Sequence, residues 1–377
     1  MFHYILWDQS GELFSWGQFT MRWSGLLLVI AFIVGRQVLV YIYKKEGKLV
    51  KDADLLIVYL VIAVTLGARL GHVIFYQPQL WSKPLTVFLP FSFKPSFHFI
   101  GMTGFSSHGA ALGILFGVWL YCLRNKPRQS YLHVLDRISM LAVWIAIPFL
   151  IGSFLNSEVE GVPTNSAVGA VMIQPVTLGI NKLPCCIMRN PGGENPLTQV
   201  IAKKNKDVAK REDGHHSIAL YLFFKAGIPT EVVDEFMLGD VKTYLFDMSQ
   251  LIYEPGTLPL HYAVFKEPTG DFEVRVRTIG VARYPVQLFE AVSYLILFMF
   301  LFWYWYKYKL TLPSGRIFGF SMIVFWGLRF GYEFLKENKV SFVKDLGLNK
   351  AQILSIPMVM IGIAVLVLSH RKTKALE

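Results

Sequence analysis

Arg329 and Glu333 stand four residues apart inside an apolar stretch, SMIVFWGLRFGYEFL, that is long enough to cross a bilayer. Four residues is about one helical turn, so both side chains share one helix face. A charge in hydrocarbon is costly and persists only when paired, hydrated or turned into a bundle. Such a pair is either a functional site or an ion pair that fixes helix packing. Arg69 and His72 close another apolar run, and His108 opens a third. Guanidinium grips phosphate through paired hydrogen bonds and stays charged at any relevant pH. Imidazole can take or give a proton near neutrality. These residue types suit an anionic head group and a proton transfer.

The elements that carry them follow from composition. The chain has 377 residues, 54% hydrophobic and 15% aromatic, with mean hydropathy +0.44. Soluble domains rarely combine these values. Apolar runs of spanning length recur at roughly 24–43, 54–76, 107–123, 134–155, 286–306, 317–335 and 352–369. The stretch 157–283 holds no credible span. Within it PTEVVDEFM predicts a helix, and LPLHYAVFKE with DFEVRVRTIG predicts a β-hairpin around a Pro-Thr-Gly turn. The run KKNKDVAKRED predicts a solvated loop. The expected fold class is an all-α polytopic membrane protein with seven transmembrane helices. An external α+β head domain is inserted between spans four and five. The expected domains are 1–156 (an external N-terminal segment and spans one to four), 157–283 (the head) and 284–377 (spans five to seven and a tail).

Net charge is +11, and its placement says more than its size. Lys44, Lys45, Lys48 and Lys51 follow span one, and Arg124, Lys126 and Arg128 follow span three. Lys307, Lys309 and Arg316 follow span five, and His370, Arg371, Lys372 and Lys374 follow span seven. All four clusters fall on one side, which the positive-inside rule makes cytoplasmic. The N-terminus and head are then periplasmic. The basic excess reads as topology, not as nucleic-acid binding. The opening segment lacks the basic start and small-residue cleavage site of a removable signal peptide. Cys122, Cys185 and Cys186 suggest neither a disulfide framework nor a metal site.

On that topology the intramembrane polar groups converge. Arg69, His72, His108, Asn156, Glu158, Gln287, Glu290, Arg329, Glu333 and Gln352 all fall in the outer half of the bilayer. Unrelated ion pairs would scatter over both halves, so the convergence favours a site. Gly109, Gly113 and Gly117 repeat behind His108, a spacing that lets helix backbones approach closely. Arginines at lipid depth with apolar walls suggest a phospholipid substrate.

The strings SSHGAALG, FLNSEVEGVPT, YPVQLFE, GLRFGYEFL and QILSIPM resemble, in order and spacing, the bacterial prolipoprotein diacylglyceryl transferases. GARLGHVIFY and MRWSGLLL are similar to that family too. The resemblance implies transfer of a diacylglyceryl group from phosphatidylglycerol to the lipobox cysteine of a prolipoprotein signal peptide, without metal or cofactor. It implies His108 as base, with Arg329 and Glu333 in the catalytic set. Arg69, His72, Asn156, Glu158, Gly161, Gln287 and Glu290 would bind substrate. The chain departs from the family pattern GRxGNFxN, where Leu150 and Ser153 replace arginine and asparagine. Ser24 replaces a tyrosine, Tyr284 replaces a histidine and His72 replaces a tyrosine. Arg137 shares the helix of Leu150 but lies about 20 Å from it, at 1.5 Å per residue. Two alternatives compete: a non-catalytic paralogue that binds phospholipid or lipoprotein, and a transporter of lipid or anions.

Overall fold

The computed structural model describes residues 4–16, 19–82, 91–92, 98–99, 104, 106–124, 129–158, 161–185, 194–205, 214–266, 271–337 and 347–374. Lys126, Arg128, most of the KKNKDVAKRED run and the Pro-Thr-Gly turn lie outside them. The chain forms two compact units. One holds Met1–Leu26, Leu150–Phe289 and Leu335–Glu337; the other holds Leu27–Phe149, Glu290–Phe334 and Asn338–Glu377.

Seven long helices carry the apolar runs: α1 (Trp23–Lys45), α2 (Val50–Phe75), α3 (Ser107–Arg124), α4 (Tyr131–Leu155), α5 (Val286–Tyr308), α6 (Arg316–Tyr332) and α7 (Lys350–Lys374). Five of them, α1, α2, α4, α5 and α7, are long and apolar enough to cross a membrane. At 18 and 17 residues, α3 and α6 are shorter. Pro148 in α4 and Pro357 in α7 each remove one helical hydrogen bond.

Glycine sets the α2–α3 contact. A Cβ on Gly71 would sit 2.6 Å from the Cα of Gly109, and one on Gly67 would sit 2.8 Å from the Cα of Gly113. The glycine stripe expected on α3 therefore meets a second stripe on α2, and the backbones touch. Asp136 of α4 closes the start of α6. Its carboxylate accepts from the backbone N–H of Gly315 at 2.7 Å and of Phe318 at 2.8 Å. These are helix-start donors with no partner inside the helix. Gly315 adopts φ +93°, a conformation open to glycine.

The other unit is built on an antiparallel sheet in the order Tyr262–Lys266, Phe272–Val281, His215–Phe224, Leu197–Lys204, with Ile252–Tyr253 added beside Phe272–Val281. The predicted hairpin is present, with Val264 opposite Val274. Strand residues alternate between faces. Val200, Leu220, Leu222, Val274 and Val276 point into a core shared with Val233, Phe236 and Leu245. The predicted helix forms as Thr230–Glu235 and continues through a π-turn into Lys242–Asp247. Tyr262 ties it to the sheet, its hydroxyl donating to Asp234 at 2.7 Å. Burial and then that carboxylate push the phenol up to about 12. The N-terminal segment joins this unit: Ile5–Trp7 pairs in parallel with Ala170–Met172. Cys122 is a buried thiol that takes part in no disulfide. Cys185 is disulfide-bonded.

Candidate functional site

In the helical unit, α3 is started by Ser106, whose hydroxyl accepts from the N–H of Gly109 at 3.3 Å. That cap fixes His108 in the first turn. His108 is buried, and its ring lies on Trp326 with centroids 4.6 Å apart. Trp326 is three residues before Arg329, so both project from one face of α6. Arg329 lies within electrostatic reach of His108.

Arg329 and Glu333 meet only loosely, Nη2 to Oε1 at 3.9 Å. Glu333 follows α6 in a 3₁₀ turn and is buried. Its other oxygen accepts from Asn349 Nδ2 at 2.9 Å. Asn349 is itself the cap of α7. Its side-chain oxygen accepts from the N–H of Gln352 at 2.8 Å, and Gln352 Oε1 accepts from the N–H of Asn349 at 3.0 Å. This reciprocal capping box anchors Glu333 to the start of α7. Glu290 of α5 is fully buried. Tyr294, one turn on, lies within electrostatic reach of Glu290, Arg329 and Tyr332.

Arg69 and His72 reach the same region from α2. Arg69 is buried and donates from Nη1 to the carbonyl of Gly104 at 3.3 Å. Gly104 has φ +82°, and any side chain there would strike the His72 ring. His72 stacks on Tyr76 at 5.7 Å. The Lys350 ammonium lies 5.7 Å from the Tyr76 ring centroid and donates to the carbonyl of Phe75 at 3.2 Å. Tyr76 feels both Arg329 and Glu333. Six of the sequence-derived residues, Arg69, His72, His108, Glu290, Arg329 and Glu333, therefore belong to one unit and one polar region. Beneath it lies an almost wholly apolar cavity of about 290 Å³, reached by Ser107 and Trp326 and walled by residues such as Ala111, Val143 and Phe318.

The remaining four belong to the other unit. Asn156 Nδ2 donates to Ser24 Oγ at 2.6 Å. Ser153 Oγ donates to the Glu158 carboxylate, and Gln287 Nε2 donates to the Glu158 carbonyl at 2.7 Å. Ser24 and Ser153 thus hold Asn156 and Glu158 directly. Leu150 is buried. Gly161 accepts from Arg283 Nη1 at 2.9 Å and passes so close to the Tyr284 carbonyl that a Cβ would collide with it. Arg283 also binds Gln250 O at 2.7 Å and Glu337 at 2.8 Å. Sequence reasoning missed Arg283, though it directly precedes the YPVQLFE string. It also missed Tyr76, Tyr294, Asn349 and Lys350, which carry no spacing signal beyond nearness to named residues.

Fold and site thus define a helical membrane-type bundle with a buried histidine, arginines and an apolar cavity. The chain belongs to the prolipoprotein diacylglyceryl transferase family, whose sequence profile matches residues 12–368. It is similar to the phosphatidylglycerol–prolipoprotein diacylglyceryl transferase of Chloroherpeton thalassium, 35% identical over 163 residues. That match covers 43% of this chain and 57% of that protein. It is 25% identical to the Bacteroides fragilis protein of the same name over 362 residues, which is 95% of this chain and 93% of that protein. The Tolumonas auensis protein of that name is 29% identical over 175 residues, 46% of this chain and 64% of the relative.

Proposed function

We propose that this protein transfers a diacylglyceryl group from phosphatidylglycerol to the cysteine thiol of a prolipoprotein. The observation that carries the proposal is a buried His108 within electrostatic reach of Arg329 and packed on Trp326, a residue that also lines an apolar cavity of about 290 Å³. The cavity suits acyl chains, and the guanidinium groups suit the phosphate.

In the proposed reaction the cysteine sulfur forms a bond to the glyceryl carbon of the lipid. The carbon–oxygen bond to phosphate breaks, and its electron pair leaves with glycerol 1-phosphate. The thiol proton passes to the His108 imidazole, because the thiolate is the nucleophile. Arg329 binds the phosphate as charge builds on its oxygens, the point at which a fixed cation accelerates reaction most. Glu333 steadies Arg329, and Glu290 takes part in substrate binding. Arg69 and His72 line the lipid head group. Asn156, Glu158, Gly161 and Gln287 are the further substrate-binding residues of the proposal.

The topology of the proposal has seven spans, counting α3 and α6. A helix of 17 or 18 residues is about 26 Å long, close to the hydrocarbon thickness. The protein lies in the bacterial inner membrane with the N-terminus and the 157–283 head in the periplasm and the C-terminus in the cytoplasm. A site introduced at Lys203 should be labelled from outside in intact spheroplasts, and protection there would reject this orientation. The function is tested by transfer of labelled diacylglyceryl to a lipobox peptide in micelles. Folded protein that binds phosphatidylglycerol without turnover would point instead to a non-catalytic paralogue.

A further inference from the structure

We propose that the open face of the head sheet docks an extended acidic polypeptide, the part of the acceptor that follows its modified cysteine. This rests on the transferase reading above. One face of the sheet is buried in the core, and the other carries exposed Lys203, Arg275 and Arg277. Lys203 pairs with Ala219, and Ala219 pairs with Arg277, so the two cations flank a small residue on neighbouring strands. Their backbones are then about 10 Å apart, two strand spacings.

The next row places rings between the charges. The Lys203 ammonium lies 4.8 Å from the Tyr221 ring centroid, and Arg275 lies 5.4 Å from Tyr221 and 4.3 Å from Phe265. Arg275 also pairs with Glu273, the carboxylate on this face. Among the described residues neither Lys203 nor Arg277 has a carboxylate partner. Among the described residues the face therefore carries more cations than carboxylates, and it suits carboxylates on a chain rather than a neutral ligand. The outer strand Tyr262–Lys266 has no second neighbour among the described residues, and Val264 and Phe265 are exposed. An extended peptide could add its backbone there while its acidic side chains reach Arg275 and Arg277 on the neighbouring strand Phe272–Val281. A polypeptide fits this flat, strand-spaced array better than a lipid surface does.

The test uses the full chain in nanodiscs of neutral phosphatidylcholine. The probe is a dye-labelled lipobox peptide with serine at the acceptor position, followed by aspartates or by asparagines. Fluorescence anisotropy at low salt should show the aspartate peptide binding roughly fivefold more tightly, as for a few exposed charge pairs. Lys203→Glu with Arg277→Glu should abolish that preference. With reactive peptides the same change should raise KM for the acidic acceptor and leave kcat unaltered. Equal binding of both peptides, or a preference that survives the double substitution, would overturn the proposal. So would protection of Arg277→Cys from a thiol reagent when phosphatidylglycerol alone replaces the neutral lipid, since the face would then belong to the membrane surface. Binding preference without any transfer would support the docking surface and count against the transferase reading, so the two can fail separately.

Discussion

The helical unit holds two ion pairs that look alike in composition and differ in distance and exposure. At one end Glu46 accepts from Arg137 Nε at 2.8 Å and Nη2 at 2.6 Å, from Trp305 Nε1 at 2.8 Å and from Lys48 at 2.9 Å, with His133 at 3.2 Å. The side chains of Arg137 and Glu46 are 1% and 2% exposed. In the other region Arg329 and Glu333 are 3.9 Å apart, and Arg329 is 21% exposed. A carboxylate saturated by donors has no capacity left for a ligand, and it fixes the loop between α1 and α2 to α4 and α5. The longer pair leaves the Arg329 side chain partly exposed, and this is the guanidinium that the proposal assigns to the phosphate. A short, wholly buried charge pair and a longer, partly exposed one are therefore expected to respond differently to substitution.

The largest effect tests the loose pair. Arg329→Ala should lower transfer on the order of 10²–10³-fold, the usual cost of losing one preorganised donor to a developing charge. Arg329→Lys should recover part of it, because a point charge lacks the planar fork. Full activity in the alanine variant would dissolve the contrast.

The saturated pair should respond in stability instead. Glu46→Gln leaves the Arg137 guanidinium buried with a neutral partner, which costs about 3 kcal/mol. Burial works to raise the Glu46 carboxyl, yet His133, Arg137 and Trp305 together hold it well below the usual carboxylate range. A depressed carboxylate stabilises the fold above its unfolded pKa, and that contribution is lost as pH falls through the folded value. Thermal unfolding in micelles should show a loss below about pH 4 that Glu46→Gln no longer displays. An unchanged acid profile would mean that the cluster does not stabilise the bundle.

A smaller effect concerns the helix contact that positions His108. Gly71→Ala puts a methyl 2.6 Å from the Gly109 Cα and should cost about 1–3 kcal/mol as the helices part. Activity should fall with it, because His108 precedes Gly109. The head gives the mildest case. Tyr262→Phe removes the hydrogen bond to Asp234 and should cost about 1 kcal/mol without changing turnover. A larger loss of turnover would tie the head more closely to the chemistry than the proposed roles do.

Much of this architecture was legible in the sequence. The apolar runs fixed the seven long helices, and alternation in DFEVRVRTIG fixed a strand that is buried on one side only. Arg329 and Glu333 could be paired from spacing because four residues is one turn. Glu46 and Arg137 could not, because they are 91 residues apart and only folding brings them together. The glycine stripe of α3 was visible, but its counterpart on α2, Gly67 and Gly71, became meaningful only against it. Asn349 as the partner of Glu333 was hidden for a related reason. A cap is recognised by the helix it starts, and that helix says nothing about which carboxylate lies across from it. The N-terminal strand was missed because Ile5–Trp7 is short and pairs with a segment far along the chain.

The central claim is that the loosely paired Arg329 serves a phospholipid phosphate beside a catalytic His108. Its most direct test is single-turnover transfer of labelled diacylglyceryl from phosphatidylglycerol to a lipobox peptide, measured with wild type, Arg329→Ala and His108→Gln alongside lipid binding. The account predicts turnover in the wild type, loss of both lipid binding and turnover in Arg329→Ala, and loss of turnover with lipid binding retained in His108→Gln. Wild-type turnover that survives in both variants would contradict it.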